Sequence, residues 1–198
     1  MPSSSRKASA LSFELKKLSE MNVWIVRHGL TEENLGRLLQ GHLPGQLTEE
    51  GRAQVAAAAE RLAAMAAGAR CIVSSDLRRA AESAAIIARR LELPVVTLEV
   101  LRERDWGIYT GMPLAEARER YWRHGKWKFD DPSAETECQI AQRATRALAM
   151  LRMMFAPADT IIVVTHGQFA RNMIAARFNC SCHEVASLVN AEVRKITL

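Results

Sequence analysis

The sequence contains no apolar run approaching the roughly 20 residues that a membrane-spanning helix requires. It is also poor in aromatics, at 6% of 198 residues, and has no basic stripe with aromatics interleaved, which speaks against a nucleic-acid partner. Its formal charge is +5, from 27 basic and 22 acidic residues. Part of that excess lies in the first twenty residues, where Arg6, Lys7, Lys16 and Lys17 face only Glu14 and Glu20. The body is therefore only mildly basic, which suits a small anionic substrate. Cysteine is scarce as well. Cys71 sits in an apolar stretch and is expected to be a buried thiol, and nothing requires an oxidising compartment. Cys180-Ser-Cys182-His183 has no second ligand pair at zinc-site spacing, so no metal is assigned.

What is present is an ordinary globular composition, 48% hydrophobic and 25% charged, enough for one domain over residues 21–198. Residues 1–20 differ. They are Ser-rich and basic, with Leu11, Leu15 and Leu18 at helical spacing, and read as a flexible tail with a marginal helix. Their apolar core is too broken for a secretory signal, and Glu14 and Glu20 count against a transit peptide. Met21 is an alternative start, and the expected location is cytoplasmic.

Two stretches far apart share a local pattern. "NVWIVRHGLTEEN" (22–34) and "TIIVVTHGQFARN" (160–172) each carry an apolar run that ends in His-Gly, at His28-Gly29 and His166-Gly167. Between them, strands alternate with helices. A polar loop is expected from Gly29 to Leu47, then an Ala-rich helix capped by Thr48 that stops near Gly68. "RCIVSS" reads as a strand, with Ser75 or Asp76 capping the next helix. Further strands are expected at 95–98 and 161–165, helices near 113–123, 136–154 and 168–178, and a last edge strand in "LVNAEVRKITL". This alternation predicts an α/β fold with a mainly parallel sheet, and both His-Gly pairs then open on the crevice at the strand ends.

The segments after the strands offer Arg27, His28, Asn34, Arg78, Arg79, Glu103 and His166. Arginines and histidines gathered around one pocket repel each other unless a dianion such as phosphate neutralises them. Neighbouring cations would keep His28 neutral, as a nucleophile must be. Arg79, in the first turn of its helix, is expected beside free N–H groups that favour an anion, whereas Arg78 is expected on the solvated face. The residues alone leave Glu103 open between the site and a surface charge.

The ordered set "VRHGLTEEN", "LQGHLPGQLTEEGRAQ", "SSDLRRAAESAAIIA", "LRERDWGIYTG", "PSAETECQIAQR" and "VVTHG" resembles the histidine phosphatase superfamily, also called the phosphoglycerate mutase-like family, over about residues 22–198. That resemblance implies a three-layer α/β/α sandwich and a metal-independent phosphomonoesterase. It also implies roles. His28 becomes a phosphohistidine, and Glu103 is the acid and base. Arg27, Arg79 and His166 clamp the phosphoryl oxygens, with Asn34 and Gly167 supporting phosphate binding. The expected partner is a small phosphomonoester, with no cofactor, nucleic acid or membrane, and with room for a homodimer.

The chain departs from the family's common forms at Leu30, in "DWGIYTG" and in "PSAET", which bears on substrate identity. A cofactor-dependent phosphoglycerate mutase is one rival, but Leu114 stands where mutases carry a Lys, and their longer insertion is absent. A catalytically dead phospho-ligand or protein-binding module is the other; the intact set of His28, His166, Arg27, Arg79 and Glu103 argues against it. The segment Pro113–Pro132, with Tyr121, Trp122, Arg123, His124, Lys126, Trp127 and Lys128, is expected to cover the pocket.

Overall fold

The computed structural model describes residues 20–198, so the tail, apart from Glu20, lies outside the described residues. Strands β1 (Asn22–Arg27), β2 (Ala69–Ser74), β3 (Val95–Thr97), β6 (Thr160–Thr165) and β7 (Val193–Thr197) form one sheet. Their order is β3-β2-β6-β1-β7. All neighbours are parallel except β7, which runs antiparallel to β1 at the edge. Helices α2 (Glu49–Met65) and α3 (Arg78–Leu91) cover one face, and α5 (Glu137–Met154) and α6 (Gly167–Phe178) the other, giving the α/β/α sandwich.

Successive strand residues point to opposite faces. Val23, Ile25, Ile161 and Val163 pack with Leu148, Leu151 and Phe169. Trp24, Val26, Ile162 and Val164 pack with Val55, Leu62, Ala84 and Ile87. Because both faces of β1 and β6 are buried, these strands read as unbroken apolar runs, not as alternation.

Thr48 accepts a hydrogen bond from the Gly51 N–H and starts α2 as expected. Thr136 and Gln139 form a capping box at α5. The start of α3 differs from the sequence reading. Leu77 is the N-cap and has no side-chain bond. Ser75 is occupied elsewhere, meeting His166 Nε2 at 2.9 Å and accepting the Leu77 N–H at 3.2 Å. Asp76 is held by Arg102 at 2.5 Å. The expected polar loop after Gly29 also contains a short helix, α1 (Glu32–Leu35), closed by a capping box between Thr31 and Asn34.

The segment 113–132 folds as helix α4 (Leu114–Tyr121) and a hairpin of β4 (Trp122–Arg123) and β5 (Lys126–Trp127). Its two turn residues, His124 and Gly125, both have positive φ, at 50° and 76°. A type I′ turn demands that, and the twist of the two strands favours it. Tyr121, Trp127 and Phe129 pack with Trp106, Tyr109 and Leu39 in a third apolar cluster. Packing thus accounts for these aromatics. Among the described residues, no helix is long and apolar enough to cross a membrane.

Candidate active site

Strand register brings the two histidines together. β1 and β6 are adjacent and parallel, and Arg27 lies opposite Thr165. The next residues are His28 and His166, and the His28 N–H donates to the Thr165 carbonyl at 2.9 Å. The ring centres are 5.2 Å apart, and neither residue is more than 2% exposed.

The hydrogen bonds fix how His28 is protonated. Its Nδ1 lies 2.8 Å from the Gly29 carbonyl, which only accepts, so Nδ1 carries the proton. Nε2 then holds the lone pair, which accepts from Arg79 Nε at 3.3 Å. Burial first, then the charges of Arg79 and Arg27, hold the His28 pKa well below the ordinary imidazole value; the bond to Gly29 opposes them. The ring is therefore neutral at neutral pH, with its lone pair on Nε2. His166 is likewise held well below the usual range, by burial first and then by Arg79, His28, Arg27 and His42. Its Nε2 meets Ser75, while Nδ1 is buried with no protein partner.

Arg79 is fully buried. Its guanidinium donates to His28, to the Leu43 carbonyl, and to the Gly41 carbonyl at 2.8 Å. Burial lowers its pKa to about 10, opposed by Glu103 and Glu33. Gly45, at φ 67°, packs so closely on it that an added Cβ would lie 2.9 Å from Arg79 Cδ. The backbone N–H of Arg79 is taken by the Pro44 carbonyl at 3.1 Å. It is not left for an anion as expected, because the loop 41–45 folds over this end of α3. Arg78 is exposed, as expected.

Arg27 Nη1 donates to the Leu188 carbonyl at 2.6 Å, and its buried Nε has no partner. Burial lowers its pKa, with Glu103 as the first opposing charge. Gly167 lies against this guanidinium: an added Cβ would stand 3.3 Å from Arg27 Cζ and Nε.

Glu103 lies against the helix that follows His166. Its carboxylate docks on the N-terminus of α6, accepting from Gln168 N at 3.1 Å and Phe169 N at 3.0 Å. It lies within electrostatic reach of Arg27 and Arg79.

Asn34 reaches the site through Asn190, which the sequence reading did not single out. Asn190 Nδ2 donates to the His28 carbonyl at 3.2 Å and to Asn34 Oδ1 at 3.1 Å. Ser75 was expected as a cap and instead orients the second histidine. Neither had a sequence signal, since each acts through a partner far away in the chain. The HG turn itself is fixed by close approach: a Cβ on Gly29 would lie 2.4 Å from the Gly51 carbonyl oxygen.

Residues 23–198 match the family model described as histidine phosphatase superfamily (branch 1). A phosphoglycerate mutase-like protein 4 of Arabidopsis thaliana is 32% identical over 194 residues, covering 94% of this chain and 83% of the relative. An uncharacterised phosphatase of Bacillus subtilis is 33% identical over 145 residues, covering 73% and 71%. A mycobacterial glucosyl-3-phosphoglycerate phosphatase, solved as a VO3 complex, superimposes with a TM-score of 0.77 at 27% identity, covering 88% of this chain and 90% of that one.

Proposed function

The chain belongs to the histidine phosphatase superfamily, and on that premise we propose that it hydrolyses a small phosphorylated metabolite without a metal, through a phosphohistidine on His28. The observation that supports this reading most is the state of His28: a neutral imidazole with its Nε2 lone pair directed at Arg79 and its other nitrogen tied to Gly29.

In the first step His28 Nε2 attacks phosphorus and the bond to the ester oxygen breaks. Glu103 gives that oxygen its proton. Arg27, Arg79, His166 and the Gly167 N–H take up the charge that spreads over the equatorial oxygens. The buried Nε of Arg27 and Nδ1 of His166, both without protein partners, suit that role. Asn34 supports the phosphate with its amide Nδ2. In the second step water attacks phosphorus, Glu103 takes its proton, and the P–N bond breaks to release phosphate. The relatives that are phosphatases support hydrolysis over transfer.

The test is turnover of p-nitrophenyl phosphate in EDTA, followed by acid-free quenching and mapping of the phosphorylated peptide. Phosphate on His28 is expected, together with no turnover by His28→Ala. Phosphate on another residue, or activity that EDTA abolishes, would overturn the reading.

A further inference from the structure

A cavity of about 350 Å³ lies between the β4–β5 hairpin and the start of α5. Arg104, Lys126, Trp127, Lys128, Phe129 and Glu137 contribute to its lining, and none of Arg27, His28, Arg79 or His166 does. Its volume is at the small end of the range for ligand sites.

Arg104 is the unusual member. It is 2% exposed, and its guanidinium lies 4.5 Å from the centre of the Trp106 ring. Nε donates to the Glu135 carbonyl at 2.7 Å, but Nη1 is buried with no partner. A buried cation without a full set of acceptors is costly, so the arrangement calls for an anion. The carboxylates nearest to Arg104 already have other partners. Glu135 is gripped by Arg143 at 2.8 and 2.6 Å, Glu103 accepts backbone N–H groups, and Glu137 Oε2 lies 3.3 Å from His183. Lys126 and Lys128, both exposed on the hairpin side, add positive charge. Glu137 Oε1 is buried and lacks a donor. A donor without an acceptor and an acceptor without a donor therefore belong to two residues that line the same chamber.

We propose that this cavity is a second ligand site, for a small carboxylate that also carries a hydroxyl or amino donor. The carboxylate sits between Arg104 and the two lysines, the donor meets Glu137 Oε1, and the hydrocarbon rests on Trp127 and Phe129. None of the residues named for the phosphoryl chemistry lines this cavity.

The experiment is a titration of the full chain with lactate, and with propionate as the isostere that lacks the hydroxyl, followed by 1H–15N signals of the tryptophan indoles. Lactate should shift Trp106 and Trp127 saturably and leave Trp24 unmoved, with propionate at least about threefold weaker. The exposed pair Lys126→Ala/Lys128→Ala should weaken lactate by about fivefold or more. Shifts that merely follow ionic strength, equal affinity for propionate, or an affinity indifferent to the double substitution would each overturn the proposal. Catalysis plays no part in the readout, so this site and the hydrolytic reading fail independently.

Discussion

Arg79 Nε donates to His28 Nε2 across 3.3 Å, so a buried cation engages the lone pair of the proposed nucleophile. The contact lowers the basicity of the imidazole. In the proposed mechanism its donor turns to the incoming phosphoryl group as the reaction begins. A lysine supplies charge but neither the Nε contact nor the fork that also grips Gly41 and Leu43. Arg79→Lys should therefore lower kcat/KM by about 100-fold or more. Retention of near-normal kcat/KM in a folded Arg79→Lys protein would show that point charge alone suffices.

Glu103→Gln keeps the size of the side chain and an acceptor for the α6 N–H groups while removing the transferable proton. Alkyl phosphates, whose leaving oxygens need protonation, should slow by about 100-fold or more. Aryl phosphates with acidic leaving groups should slow much less in the phosphorylation step. A plot of burst rate against leaving-group pKa would be steeper in the variant; parallel plots would remove Glu103 from the acid role.

Acid should destabilise the fold through the two histidines. Their folded pKa values lie well below 6.5, so as pH falls through 6.5 the unfolded chain binds protons that the folded chain refuses. Above that pH both states are neutral and these residues add no dependence. Below it, stability falls by up to about 2.7 kcal/mol per pH unit for the two sites together. Urea midpoints measured from pH 7.5 to 5.5 should show this, and His28→Asn should flatten the slope. A slope unchanged by the substitution would place the effect elsewhere.

Gly51 lies in α2 directly under the HG turn. A Cβ there would stand 2.1 Å from the Leu30 carbonyl oxygen. Gly51→Ala should cost about 1–3 kcal/mol and reduce turnover as well, because relief of the clash moves the turn that carries His28. Full activity with full stability would mean that the helix shifts freely.

Supplied with 3-phosphoglycerate and a bisphosphoglycerate primer, the protein should release phosphate and interconvert the monophosphates slowly or not at all. Leu114, at the start of α4, provides no cation to hold a second charged group on a substrate. Rapid interconversion with little phosphate release would favour the mutase reading.

Much of this was legible in the chain because the sheet is buried on both faces: "VWIV" and "IIVV" announce central strands, and a His-Gly at each end announces the crevice. Thr48 announced its helix because a cap acts within three residues. What stayed hidden depends on contacts distant in sequence. Ser75 has the sequence of a cap, yet His166 claims it. Asn190 gains its role by lying across from His28 and Asn34. Glu103 looked the same as a surface charge until α6 brought its N-terminus to it. The hairpin 122–127 was missed because its turn is signalled only by His124-Gly125, with strands too short to show a period.

Because the offset that pairs Arg27 with Thr165 also sets His28 beside His166, the spacing of the two histidines is set by the two strands and not by the 113–132 segment. The 113–132 segment packs its aromatics on Trp106, Tyr109 and Leu39, which lie outside both strands. It can be exchanged as a cassette if those three contacts are kept. A library that replaces these residues with the corresponding segments of relatives should redirect substrate choice while the phosphorylation chemistry, anchored in two strands, carries on beneath it.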